Sequence, residues 1–101
     1  MERRDRERFS ANIDTFFLSG NILSSGIILN LSEKGMFISS KKRLPSDAMI
    51  AIIIHEKIVG TARIIWVNKT VNNYSAGVEL LTSFNGYSEL LENLRFHPAH
   101  P

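Results

Sequence analysis

The sequence predicts an all-β fold, a small six-stranded antiparallel β-barrel with a C-terminal α-helix. Three observations carry that prediction. Six strand-length stretches follow one another at hairpin spacing. The stretch at 49–54, Met-Ile-Ala-Ile-Ile-Ile, is dominated by β-branched residues and reads as a buried strand. Only the segment 87–96 has helical spacing, with Leu90, Leu91, Leu94 and Tyr87 on one side. Closing the sheet would remove the edges that such isoleucine-rich strands otherwise expose.

The elements follow in order. Residues 1–10 are charged and lack apolar periodicity, so the segment 1–12 reads as an N-terminal arm. A first strand at 13–18 meets Ser19-Gly20-Asn21, a turn whose residues tolerate positive φ. A second strand spans 22–29, with an irregularity expected at Ser24-Ser25-Gly26. Asn30-Leu31-Ser32-Glu33-Lys34-Gly35 forms a turn into a short third strand at 36–39. A polar connection at 41–47 is broken by Pro45. The strand at 49–54 turns at His55-Glu56-Lys57 into a fifth strand at 58–67. In that strand Ile58, Gly60, Ala62 and Ile64 alternate with Val59, Thr61, Arg63 and Ile65. A loop at 68–73 leads to the last strand at 74–81 and then to the helix. The barrel and helix occupy 13–97, and 98–101 form a tail.

Composition limits the function classes. The 101 residues suit one domain with a modest core. There is no cysteine, which removes disulfides and Cys-based metal sites and is compatible with a reducing cytoplasm. No apolar run approaches the ~20 residues of a membrane helix, so no membrane insertion is expected. The charged start lacks the apolar region of a secretory signal. A net charge of +2 permits an anionic ligand but is light for a nucleic-acid binder.

Two segments carry candidate chemistry. Arg3, Arg4, Arg6 and Arg8 stand in the arm among Glu2, Asp5 and Glu7. Arg4 and Arg8 share a side whether the arm is helical or extended, roughly 13 Å apart at the backbone when extended. Guanidinium grips phosphate bidentately and stacks on flat rings. The alternative is a solvated terminus laced by local ion pairs. In the turn, Asn30 and Ser32 can bond a ligand or the local backbone, Leu31 points to the core, and Gly35 supplies a backbone conformation that a side chain would oppose. The alternative is a loop that hydrogen-bonds only to itself.

The arm Arg3-Arg4-x-x-x-Arg8 followed by Asn30-x-Ser32-x-x-Gly35 resembles the paired signature of PilZ domains. The stretches Gly60 to Trp66, Gly77-Val78-Glu79-Leu80 and 86–96 resemble the family's late strands and closing helix. The resemblance implies a split-barrel fold and a cytoplasmic bacterial receptor for the second messenger cyclic di-GMP; no acid–base pair or nucleophile constellation is visible in the sequence, so no enzymatic activity is expected. Arg4 and Arg8, assisted by Arg3, would hold phosphate and guanine; Asn30, Ser32 and the Gly35 backbone would meet guanine edges. A protein effector is the implied partner, and no cofactor is implied. The other readings are a PilZ-like interaction module without nucleotide binding and, more remotely, a single-strand nucleic-acid barrel, which needs a basic groove with exposed aromatics. Asn30 stands where Asp is also common in the family, and Lys34 where a small residue is common.

Other residues are set aside. His55, His97 and His100 are scattered, with no ligand constellation around them. Ser32 has no sequence-adjacent histidine and acid to make it a nucleophile. Lys41-Lys42-Arg43 reads as a solvated loop. Trp66, within an isoleucine-rich strand, is expected in the core.

Overall fold

Each strand pairs antiparallel with two neighbours, which leaves the sheet without a free edge. The computed structural model describes residues 7–83 and 85–96. The strands are β1 (Phe9–Ser19), β2 (Ile22–Leu31), β3 (Gly35–Ser40), β4 (Met49–Ile54), β5 (Lys57–Lys69) and β6 (Tyr74–Ser83). They close in the order β1-β2-β3-β6-β5-β4, and α1 (Asn85–Phe96) follows. The six-stranded barrel and its closing helix are those expected from the pattern of short apolar strands.

Hairpin geometry follows from local chemistry. Gly20 has φ +62°, the positive first position of a two-residue turn that glycine adopts without strain. His55 and Glu56 both have positive φ, 54° and 66°, and join β4 to β5 in the sign pattern of a type I′ turn. The loop between β3 and β4 is held by hydroxyls. Ser24 Oγ and Ser40 Oγ lie 2.8 Å apart, and Ser40 Oγ donates to the Lys42 carbonyl at 2.7 Å. Leu44 inserts from this loop into the core, while Lys41, Lys42 and Arg43 stay exposed.

The barrel interior holds Phe17, Ile28, Leu31, Ile38, Ile52, Ala62, Ile64 and Ala76, all fully buried. Burying each large aliphatic or aromatic side chain contributes about 1.5–3 kcal/mol. Helix α1 adds Tyr87, Leu91 and Leu94 to the same cluster and packs against β1, β5 and β6. Leu90, on the edge of the helix's apolar stripe, is partly buried.

Several boundaries differ from expectation: β2 runs on through Asn30 and Leu31, which pair with Phe37 and Met36, and β3 begins at Gly35, so the turn proper is Ser32-Glu33-Lys34. β1 starts at Phe9, inside the segment 1–12 read as an arm. Phe9, Ala11 and Ile13 are half-buried, and they alternate with exposed Ser10, Asn12 and Asp14. That is a strand's two-residue period, disguised by a small residue and by the adjoining charges. β5 and β6 also run beyond their apolar stretches, because Asn68 and Lys69 pair with Ser75 and Tyr74, and Thr82 and Ser83 pair with Thr61 and Gly60.

Bulges bend the strands and reset which side chains face inward. Between β2 and β3 the register runs Ile28↔Ile38 and then Asn30↔Phe37, so Leu29 is the extra residue. Between β5 and β6 it runs Ile64↔Val78 and then Trp66↔Gly77, so Ile65 is extra. Each bulge reverses the inside–outside alternation beyond it. Ile28 and Leu31 both face the core, which turns Asn30 outward; Ile64 and Val67 both pack on the core side, which turns Trp66 outward.

Truncating Ile38→Ala should leave a cavity at the barrel centre and lower stability by about 2–5 kcal/mol. Urea unfolding should show a lower midpoint with the slope unchanged.

Candidate functional site

A row of outward-facing positions crosses five strands at one end of the barrel. Ser10 pairs with Asn30, Asn30 with Phe37, Phe37 with Gly77, and Gly77 with Trp66. Gly77 makes the row concave. A Cβ on it would stand 2.6 Å from the Trp66 Cε2 atom, so the missing side chain is what lets the indole lie across the strand. The ring reaches Phe37, with centroids 5.6 Å apart and planes tilted by 38°. Trp66 stays 40% exposed and Ile65 beside it 49%, an apolar shelf open to solvent.

The arm meets this shelf through Arg8. Its Nη1 donates to Asn30 Oδ1 at 2.7 Å, a charge-assisted bond across 22 residues of sequence. Arg8 borders two depressions. One, about 400 Å³, is lined also by Asn30, Phe37, Trp66 and Gly77. The other, about 470 Å³, is lined also by Ser32, Lys34, Gly35 and Glu79. Ile65 and Val78 border both, and volumes of this order hold small-molecule ligands.

The 30–35 turn is braced from beneath. Ser32 is only 3% exposed. Its Oγ accepts from the amides of Lys34 at 3.3 Å and Gly35 at 3.2 Å, and its own amide donates to the Gly35 carbonyl at 2.8 Å. The hydroxyl therefore shapes the turn. The Ser32 carbonyl accepts a hydrogen bond from the buried Tyr87 hydroxyl of α1. Burial pushes the Tyr87 phenol well above its ordinary value of 10.0; the Arg8 guanidinium pulls it down and Glu33 pushes it up.

Gly35 is needed for a different reason than expected. Its φ is not in the left-handed region. What excludes a side chain is the neighbouring strand: a Cβ would lie 2.6 Å from the Val78 carbonyl oxygen.

Arg8, Asn30 and Gly35 thus converge, with Ser32 directly below them. Arg3 and Arg4 lie outside the described residues. Trp66, expected in the core, sits instead on the outer shelf, because the Ile65 bulge reverses the alternation on which that expectation rested. Phe37, Gly77 and Tyr87 also belong to the site's construction. One sequence signal pointed toward them: a glycine between the apolar Ala76 and Val78 marks a place where a neighbouring group crosses the strand.

A family model for the PilZ domain matches residues 2–96. The chain belongs to the PilZ domain family. No curated protein matches it. PilZ domains are receptors for cyclic di-GMP, acting as binding modules. In this PilZ domain no helix among the described residues is long and apolar enough to cross a membrane. Among the same residues no group of histidine and acidic side chains is placed to hold a metal ion.

Two outcomes follow from the packing. Gly77→Ala should force the Trp66 ring off the strand, exposing the chain's single tryptophan further and shifting its fluorescence to longer wavelength. The second concerns alkaline pH. The folded Tyr87 phenol holds its proton more tightly than the unfolded one, so its contribution to stability is complete below about pH 10 and is lost as pH rises through the folded value. Thermal melts between pH 9 and 12 should therefore fall more steeply for the wild type than for Tyr87→Phe.

Proposed function

We propose that this PilZ domain is a bacterial, cytoplasmic cyclic di-GMP receptor that couples the messenger to a partner protein and performs no catalysis. The observation that supports this reading best is the 2.7 Å bond from Arg8 to Asn30, which joins the arginine arm to the polar turn beside an aromatic shelf. A cyclic dinucleotide carries two phosphates and two purines. The phosphates call for guanidinium forks, and the purines call for flat apolar surfaces and short polar groups at their edges.

In this reading Arg8, with Arg4 and Arg3 of the arm, grips phosphate and covers guanine. Asn30 and the Gly35 backbone meet base edges, and Ser32 contributes through the turn that it shapes. Trp66 and Phe37 add a stacking surface. Arg8 already spans both depressions, so ligand capture needs only a redirection of its guanidinium from the Asn30 amide toward phosphate. Ordering the rest of the arm over the ligand would select one arm conformation from many, which is how occupancy becomes a signal.

Calorimetry with cyclic di-GMP tests this. The wild type should bind and quench Trp66 fluorescence. Arg4→Ala and Arg8→Ala should each weaken binding by about 10- to 100-fold, the worth of a charge-assisted hydrogen bond. Trp66→Ala should weaken it by at least about fivefold, the low end for loss of one base–aromatic stack. A wild-type protein that binds no cyclic di-GMP would sink the reading.

A further inference from the structure

The two halves of the candidate site belong to chain segments more than twenty residues apart, and one helix touches both. At its N-terminal end Tyr87 donates its hydroxyl to the Ser32 carbonyl, under the 30–35 turn. At its C-terminal end Arg95 reaches the base of the arm: Nη2 lies 3.6 Å from Glu7 Oε1, and the guanidinium sits over the Phe9 ring, 5.7 Å from its centroid. Tyr87, Leu91 and Arg95 follow one another at four-residue intervals, so they lie along a single stripe of α1. Eight residues of helix separate the two ends, about 12 Å along the axis. Leu91 and Leu94 seat that span in the core, so it is not free to slide.

The Arg95 contacts bear on the orientation of Arg8. Glu7 and Phe9 flank Arg8, and in extended chain alternate side chains point to opposite sides. A guanidinium that engages both Glu7 and Phe9 on the helix side leaves Arg8 facing the other way, toward Asn30. Both Arg95 and Glu7 are close to half exposed, so their ion pair is weak and readily exchanged. The Tyr87 bond is buried, and its loss would strand a carbonyl under the turn.

We infer that α1 is a strut that sets the spacing between the arginine arm and the 30–35 turn, with Tyr87 and Arg95 as positioning residues for the ligand site. The inference rests on the cyclic di-GMP reading and extends it to how occupancy is transmitted. If docked α1 holds the arm and the turn at binding distance, a ligand that bridges them must in return hold α1 in place, by the same factor. The helix is then the element whose docking reports whether the site is filled.

The test uses the full chain in two measurements, calorimetry with cyclic di-GMP and hydrogen exchange of the α1 amides with and without it. In the wild type the ligand should slow exchange across 87–95. Tyr87→Phe keeps the ring and its packing but loses the donor, and should weaken binding about fivefold, the worth of one net hydrogen bond. Arg95→Ala, at an exposed position where misfolding is not a concern, should weaken it about threefold, matching a surface ion pair plus a cation–π contact. In both variants the ligand-induced slowing of α1 exchange should shrink. A merely structural role would lower the melting temperature while leaving affinity and the ligand-induced slowing as in wild type, and that result overturns the inference. Binding by the wild type with both variants within twofold of it also overturns the inference while the receptor reading stands. No binding by the wild type overturns both.

Discussion

The sheet closes through three residue pairs between β1 and β4: Phe16 with Ile53, Phe17 with Ile52, and Leu18 with Ala51. Closure at this seam removes the free edges that β1 and β4 would otherwise expose and gives the side chains of Phe17 and Ile52 an enclosed interior. It also demands curvature. Bulges supply curvature to a small barrel, and the chain has register shifts in four of its six ladders, among them the extra residues at Leu29 and Ile65. The same two bulges turn Asn30 and Trp66 to the outer surface. The geometry that closes the barrel is therefore also the geometry that exposes the site.

Glycine completes what the bulges begin. Gly77 leaves room for the indole to cross β6, and Gly35 lets β3 approach the Val78 carbonyl. Both act by lacking a Cβ, through close approach of a neighbour. The site is in this sense carved from the packing of β3, β5 and β6 and needs no insertion or long loop. Helix α1 then locks the turn from below through Tyr87.

Rigid and adaptable parts are separated. The interior residues are buried, and buried Ser32 braces its turn by hydrogen bonds, so their arrangement is costly to change. Arg8, Glu7 and Arg95 are exposed, and the Arg95–Glu7 ion pair is of the kind that contributes about 1 kcal/mol or less. A ligand with several phosphate oxygens competes easily with such contacts, while the wall that it would lie against stays fixed. A PilZ domain built this way can change its arm without disturbing its core.

The strands, their order along the chain and the closing helix were legible because burial imposes periods of two and of about 3.6 on the sequence, and Gly20 and the β-branched run at 49–54 mark where those periods apply. The arginine arm and the Asn30–Gly35 turn were legible as candidate chemistry because few residue types bind phosphate and base edges well. Tertiary structure alone decided that β1 begins at Phe9, that Arg8 meets Asn30, that Trp66 faces outward and that Tyr87 holds Ser32. The reason is physical. A one-residue bulge reverses every later side chain in its strand yet leaves the composition of that strand unchanged, and contacts between residues twenty-two or fifty-five apart are set by how the barrel closes.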